Sequence, residues 1–334
     1  MKLQRLEELF SRFDELRVAV VGDLFLDQWY HIDPALDEPS VETGRTAWQV
    51  TRIHSSPGAA GTVLNNLYTM GVGRRIAVGF TGEDGSGWTL RRQLEQQGVD
   101  ITHMQIVPER MTPCYMKPMF DRGDHLEEGN RLDVKNRLHM PRWVEDRWIR
   151  SLEALAPETD AMIVLDQLTE TDTGVVTTRI RDKLAELGDR FPALKLYADS
   201  RERIAAFRRV MIKCNHGEAM KALGEELPLS DAMAKLRGRT GRPVFITLGK
   251  DGIAAGDGTV MPAARQTGPI DVCGAGDGTT AALVSALCAG ATLEEAAFVG
   301  NLAGGVTVRK LGTTGTATRE EMLALYHEQF EADA

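Results

Sequence analysis

Seven residues place the strongest chemistry in this chain: Asp271-Val272-Cys273-Gly274-Ala275-Gly276-Asp277, followed at once by the helix-forming run Gly278-Thr279-Thr280-Ala281-Ala282-Leu283. Two glycines bracket an alanine, and a carboxylate follows at the start of a helix. The first amides of a helix have no intrahelical acceptor, and the helix dipole is positive there, so such a turn attracts anions. Phosphate is the usual guest. A carboxylate beside a phosphate cradle repels that guest, unless Asp277 takes a proton from an attacking hydroxyl. That reading makes an alcohol the nucleophile and a phosphoryl group the electrophile, as in a small-molecule kinase. Gly274, Ala275 and Gly276 then supply amides for the developing charge. The alternative is a glycine-rich turn with Asp277 as a helix cap.

Three further constellations sit where strands end. Cys214-Asn215-His216-Gly217-Glu218 follows the strand Val210–Lys213. Asn215 and Glu218 share a face of a starting helix and suit Mg²⁺, or its water shell, beside nucleotide phosphates. A plain capping box explains the same pair equally well. Ile246-Thr247-Leu248-Gly249-Lys250-Asp251-Gly252 reads as strand, tight turn, strand. Thr247, Gly249 and Gly252 become nucleotide-contact candidates there, while Lys250 reads as a solvated loop lysine. Gly22-Asp23-Leu24-Phe25-Leu26-Asp27 ends the first strand. Asp23 is placed to accept two sugar hydroxyls at the sheet edge, and Asp27 is either a second acceptor or a turn residue.

The elements that must position these groups alternate. Short apolar strands at 17–22, 75–80, 161–165, 194–198, 210–213 and 244–248 are separated by helices, including 57–70, 87–97, 141–155, 174–187, 216–223, 230–237, 275–289, 293–310 and 319–330. That rhythm predicts an α/β fold with a mostly parallel central sheet covered by helices on both faces. Two stretches, about 28–55 and 111–134, read as strands without helices between them. They predict a small β-sheet lid inserted into one domain spanning 1–334. Pro113 and Pro118 suit edge strands. A lid with exposed edges also fits a homodimer. Trp143 and Trp148 read as packing on the 141–155 helix. Gly304-Gly305 reads as a close helix contact.

Composition bounds the partners. The chain has 334 residues with 43% hydrophobic and 26% charged residues and a formal net charge of −9, ordinary for a globular protein. The acidic balance speaks against a nucleic-acid surface. Four scattered cysteines, Cys114, Cys214, Cys273 and Cys288, form no C-x-x-C pair and suggest reduced thiols. Cys273 and Cys288 read as small core side chains. The seven histidines show no metal spacing. No apolar run reaches the length of a membrane span, and the charged N-terminus lacks a secretory core, so a cytoplasmic protein without membrane partners is expected.

In this order the motifs resemble the ribokinase (PfkB-type) carbohydrate kinase family over nearly the whole chain. The family pattern Asp-Thr-x-Gly-Ala-Gly-Asp appears here as Asp271 to Asp277, with Val272 in place of Thr, and its Asn-x-x-Glu motif appears as Asn215 to Glu218. The resemblance implies a ribokinase-like fold, ATP and Mg²⁺ as cofactors, and a monovalent cation such as K⁺ near Asp271. Within the family the chain is similar to the heptose-phosphate kinase branch of ADP-heptose synthesis. The residues that carry this are Asn301 to Thr313, Asn130-Arg131-Leu132-Asp133 and Tyr197-Ala198-Asp199.

That resemblance assigns Asp23, Asp27, Gly58, Ala59, Thr62, Asn66, Lys117, Arg131 and Asp133 to the acceptor, and Asn301 to the nucleotide. The branch carries Pro-Gly-Gly-Ala-Ala-Asn where this chain has Pro57-Gly58-Ala59-Ala60-Gly61-Thr62. Ala59 replaces a glycine, and Thr62 replaces a sugar-binding asparagine and lacks its amide fork. The Pro-rich segment after the first strand is also altered around Asp33–Arg45. The chain ends at Ala334, so no fused nucleotidyltransferase domain is expected. The favoured expectation is ATP-dependent phosphorylation of a sugar or sugar phosphate. The alternatives are a nucleoside or vitamin kinase of the same fold and a non-catalytic sugar- or nucleotide-sensing protein, for which Ala59 and Thr62 argue. A nicotinamide-dependent dehydrogenase is weaker, since no Gly-x-Gly-x-x-Gly follows the first strand.

Overall fold

The computed structural model describes residues 1–312 and 314–330; Thr313, the last residue of the C-terminal segment compared above, and residues 331–334 lie outside them. Helix α1 (Leu3–Phe10) turns Leu6, Leu9 and Phe10 inward and leads to β1 (Arg17–Gly22), buried on both faces beyond Arg17. Through Asp23 alone the chain leaves the main sheet into β2 (Leu24–Ile32). A short ribbon, β3 (Glu38–Pro39) with β4 (Thr46–Ala47), and the long β5 (Val50–Ala59) return it to α2 (Ala60–Thr69). Next come β6 (Arg74–Thr81), α3 (Gly85–Gln96) and β7 (Asp100–Ile106). A second excursion builds β8 (Cys114–Asp121), β9 (Leu126–Glu128) and β10 (Leu132–Val134).

The alternation then resumes with α4 (Arg142–Leu155), β11 (Ala161–Asp166), α5 (Thr178–Arg190), β12 (Lys195–Ser200), β13 (Met211–Asn215), α6 (His216–Leu223), α7 (Leu229–Thr240) and β14 (Val244–Thr247). The hairpin β15 (Ile253–Ala255) and β16 (Thr259–Met261) precedes α8 (Ala275–Cys288), α9 (Leu293–Thr307) and α10 (Arg319–Gln329). The large sheet runs β16-β15-β14-β13-β12-β11-β1-β6-β7, and it is parallel except for β15 and β16. Val18, Val20, Ile163 and Leu165 pack one face under α1, α2, α8, α9 and α10. Ala19, Val21, Met162 and Val164 pack the other under α4, α5, α6 and α7. Period-2 alternation in strands buried on both faces produces these two cores, and the α/β sheet covered on both sides is as expected.

The separate sheet has the order β10-β8-β2-β5, with β9 also on β8. Its strands fall within Leu24–Ala59, wider than the expected 28–55, and within Cys114–Val134, slightly inside the expected 111–134. Three sequence readings are corrected. Pro57 to Ala59 belong to β5, not to the following helix, because they pair with Leu26, Phe25 and Leu24. The strand β8 is interior, although it carries Pro118. That residue lies between the β10 pairing, which ends at Met116, and the β9 pairing, which starts at Met119, so its missing N–H interrupts neither ladder. Strand β7 has no counterpart in the reading, since Asp100 to Ile106 is a half-exposed edge with little apolar signal.

Candidate active site

The parallel strands end along one edge, where ligands bind in open α/β sheets. A cleft of about 220 Å³ opens there, lined among others by Asp199 at the end of β12, Lys213 and Asn215 at the end of β13, Thr247 at the end of β14, and Gly276 and Asp277 at the start of α8. That volume holds reacting groups rather than two whole substrates.

The turn into α8 is built by its own backbone. Gly274 sits at φ 80°, ψ −4°, and a Cβ on it would lie 2.9 Å from the Thr314 methyl and 3.1 Å from the Gly315 carbonyl. Only glycine fits that conformation and that contact. Asp271 holds the loop closed: one carboxylate oxygen accepts the Cys273 amide at 2.9 Å and the other the Gly312 amide at 3.1 Å. The Ala275 N–H is taken up by the Val272 carbonyl at 3.2 Å, so Ala275 drops out of the expected set of three donors. The amides of Gly276 and Asp277 belong to the first turn, which no helical carbonyl satisfies. Gly276 is exposed to the cleft. Cys273, read as a buried side chain, is exposed.

Asp277 keeps part of its surface open to the cleft. Enclosure by the surrounding protein raises its carboxyl to about 7, against the opposing pull of Lys213. Lys213 was missed by sequence reasoning. Its ammonium is buried, 2.6 Å from Asp199 Oδ2 and 3.3 Å from the Gly276 carbonyl. Arg201 also reaches the cleft, and its Nε donates to Gln167 Oε1 at 2.9 Å. The signal that could have found both is their position: each stands at or just past the carboxyl end of a parallel strand. Asn215 and Glu218 form a complete capping box, Glu218 N to Asn215 Oδ1 and Asn215 N to Glu218 Oε2, each 2.8 Å. Both still line the cleft, and burial raises the Glu218 carboxyl.

The lid brings Asp27 near Asp277, although Asp27 does not itself line this cleft. Its carboxylate is mostly buried, raised by desolvation, and close enough to Asp277 to raise that group in turn. Asp27 Oδ1 has no protein partner. Gly58 makes room for it, since a Cβ there would lie 2.7 Å from the carboxyl carbon. On the same lid face Lys117 lies 4.6 Å from the Trp29 ring centre, and Arg131 sits 4.1 Å from that of Tyr115 while gripping Asp133 with two hydrogen bonds. These cations draw the Asp27 carboxyl down, against desolvation. Ala59 adopts φ 52°, ψ −118° at the junction with α2, a conformation that glycine takes without strain.

Several expected contacts are not available. Asp23 is buried, and its carboxylate accepts the amides of Val175 at 2.8 Å and Gln167 at 3.2 Å, so it is a backbone clamp instead of a sugar ligand. Asn66 is fully buried, donating to the Thr62 carbonyl and accepting from the Ala317 amide. Thr62 is buried with it in the first turns of α2. Asn301 Nδ2 binds the Met261 and Pro262 carbonyls at 2.7 and 3.1 Å, securing the end of β16. Gly252, at φ 107°, is buried, and a Cβ there would collide with the Met261 carbonyl, so the position serves the hairpin turn. Gly249 keeps open space beside it.

Residues 196–320 match the family model described as pfkB family carbohydrate kinase. That stretch is a PfkB family domain. This kinase is 28% identical to the bifunctional protein HldE of Geotalea uraniireducens over 355 residues, which take in all of this chain and 68% of that protein. Against the HldE of Gluconacetobacter diazotrophicus the identity is 30% over 339 residues, 96% of this chain and 66% of the other. Among solved structures it superposes on phosphofructokinase-2 from Escherichia coli in complex with potassium with a TM-score of 0.67 at 19% identity, covering 94% of this chain and 99% of that one. Ribokinase from Thermotoga maritima gives 0.64 at 19%, covering 93% and 99%. These structural likenesses establish a ribokinase-like fold. The family makes the chain a carbohydrate kinase.

Proposed function

We propose that this kinase transfers the terminal phosphoryl group of ATP to a hydroxyl of a sugar or sugar phosphate, in the manner of a heptose 7-phosphate kinase. The observation that supports this most is Asp277 at an anion-attracting helix start in the cleft, with the lid's Asp27, one of whose buried oxygens has no partner, near enough for the two charges to interact. Asp27 orients the acceptor by accepting from its hydroxyls, and Gly58 keeps that carboxylate in place. Lys117 and Arg131 border the acceptor side and suit an anionic substituent on it. Asp277 accepts the proton of the attacking hydroxyl. The Gly276 and Asp277 amides and the Lys213 ammonium face the charge that grows on the transferring group.

No group of three His, Cys, Asp or Glu among the described residues could chelate a metal. That donor set fits Mg²⁺ carried largely by phosphates and water, with Glu218 and Asn215 at its edge. When bound, Mg²⁺ neutralises charge on the nucleotide phosphates. Thr247 and Gly249 lie where the nucleotide phosphates would follow the end of β14. K⁺ would belong to the loops that Asp271 ties together. The homodimer reading rests on the outer lid face, where Ile53 and Leu132 are 56% and 59% exposed, and a single-chain mass by light scattering removes it.

The test is a panel of free and phosphorylated sugars, with heptose 7-phosphate and fructose phosphates included, read by ADP formation with Mg·ATP. A phosphorylated acceptor that gives ADP above the acceptor-free rate, and loses it in Asp277→Asn, supports the reading. A panel without any turnover favours the sensing protein.

A further inference from the structure

The loop between β11 and α5, residues 167–177, is held from four sides by groups that the phosphoryl-transfer scheme does not use. From the sheet, Arg203 donates to the Leu168 and Thr169 carbonyls while paired with the buried Asp166. From the first lid stem, Asp23 accepts the amides of Gln167 and Val175, and its own carbonyl accepts the Ala60 amide of the returning stem at 3.0 Å. From the second stem, which leads from β7 to β8, the buried Arg110 donates to the Thr173 carbonyl at 3.0 Å and to the Leu138 and His139 carbonyls. The third stem joins β10 to α4, and its Met140 amide donates to the Asp172 carbonyl at 2.8 Å. Every segment that enters or leaves the lid therefore touches this loop directly or through a neighbour.

The loop begins at Gln167, whose side chain accepts from Arg201 inside the cleft. Space around the Asp23 carboxylate is tight: a Cβ on Gly174 would lie 2.4 Å from its Oδ1. An acid on one stem and a base on another thus grip the amides and a carbonyl of the same loop. Such charge-assisted bonds to buried backbone are strong and directional.

We propose that Asp23 and Arg110 are positioning residues that make the 167–177 loop a coupler, so that the placement of the lid sets the placement of Gln167 and Arg201 in the cleft. The coupling stands on the hydrogen bonds alone. Its effect on turnover rests on the function proposed above.

The deciding experiment is hydrogen exchange on the full chain without ligand, comparing wild type with Arg110→Met, Asp23→Ala and Gly174→Ala. In Arg110→Met, exchange rises about tenfold or more not only at 138–140 and 172–175 but also at Gln167 and across the first stem, residues 23–27. Strands β13 and β14 stay unchanged. Gly174→Ala and Asp23→Ala send the reverse effect to residues 107–113. Where Asp23→Ala does not fold, the other two variants decide. Deprotection confined to each variant's own neighbours overturns the proposal, because independent ties would behave that way. With an acceptor from the panel, Arg110→Met lowers kcat about tenfold with the KM for ATP within about twofold. An inactive panel leaves the exchange result standing on its own.

Discussion

The turn into α8 and the junction of the lid with α2 are both short, glycine-containing and close to the reaction, yet they are built on opposite principles. At the α8 turn every strained position carries glycine: Gly274 takes φ 80° and packs under Thr314 and Gly315. At the lid junction Gly58 keeps its contact with Asp27, but Ala59 occupies φ 52°, ψ −118°. In the proposed reaction the first region would act through main-chain amides and one carboxylate, all within a single turn. The second depends on a side chain, Asp27, that is aimed by a sheet assembled from three distant segments. Position 274 therefore demands glycine, whereas at the lid junction Ala59 occupies a conformation that favours glycine.

The sharpest way to break this contrast is Asp277→Asn, which should lower kcat by about 10²–10⁴-fold while ATP affinity, read by calorimetry, stays near wild type. Near-normal turnover would remove the proposed base. Gly58→Ala comes next. Its methyl would meet the Asp27 carboxyl group at 2.7 Å and push it aside, so the KM for the acceptor should rise about tenfold or more with the KM for ATP little changed. Equal loss on both substrates would mean that the lid junction is a folding element only.

The raised carboxyl of Asp277 sets a pH limb. With its pKa about 7, kcat/KM should fall about tenfold per unit below that value as the base takes a proton. Lys213→Met removes the ammonium that opposes the shift, so the limb should move to higher pH, whereas a merely structural lysine would leave it in place. The linked stability has the opposite sense. A folded-state pKa above the unfolded value favours the native state at low pH, and that contribution is lost as pH rises from about 4 through 7. Asp277→Asn should accordingly melt above wild type at pH 8, with the gap narrowing as pH falls toward 4. The smallest effect belongs to Ala59→Gly, which relieves a positive φ and should raise stability by about 1 kcal/mol by chemical denaturation. No gain would show that the junction relaxes differently.

Much of this was legible from local chemistry. The apolar runs that became β1, β11, β12, β13 and β14 are buried on both faces, so they read as continuous hydrophobic strands. Asp271 to Asp277 was legible because its geometry is carried by neighbours in sequence. Asn215 and Glu218 were legible twice over, as a cap and as cleft residues, and both descriptions hold. Asp23, Asn66, Asn301 and Gly252 misled for one reason: a polar or small residue in a motif looks the same whether its partner is a ligand or a distant backbone group. Each found the latter, at separations from nine residues (Gly252 to Met261) to 251 (Asn66 to Ala317). Lys213 and Arg201 stood in no motif at all, so only the convergence of strand ends revealed them.

What the amino-acid sequence determined by itself is the alternation of elements and the anion-attracting turn, because periodicity, glycine conformation and helix-end amides act over a few residues. Only the tertiary structure decided which carboxylates face the cleft and which are tied down. Desolvation and hydrogen-bond partners come from segments far apart in the chain. Thus Asp27 and Asp277, 250 positions apart, come close enough for their charges to interact, while Asp23, four residues before Asp27, is sealed behind the loop it holds.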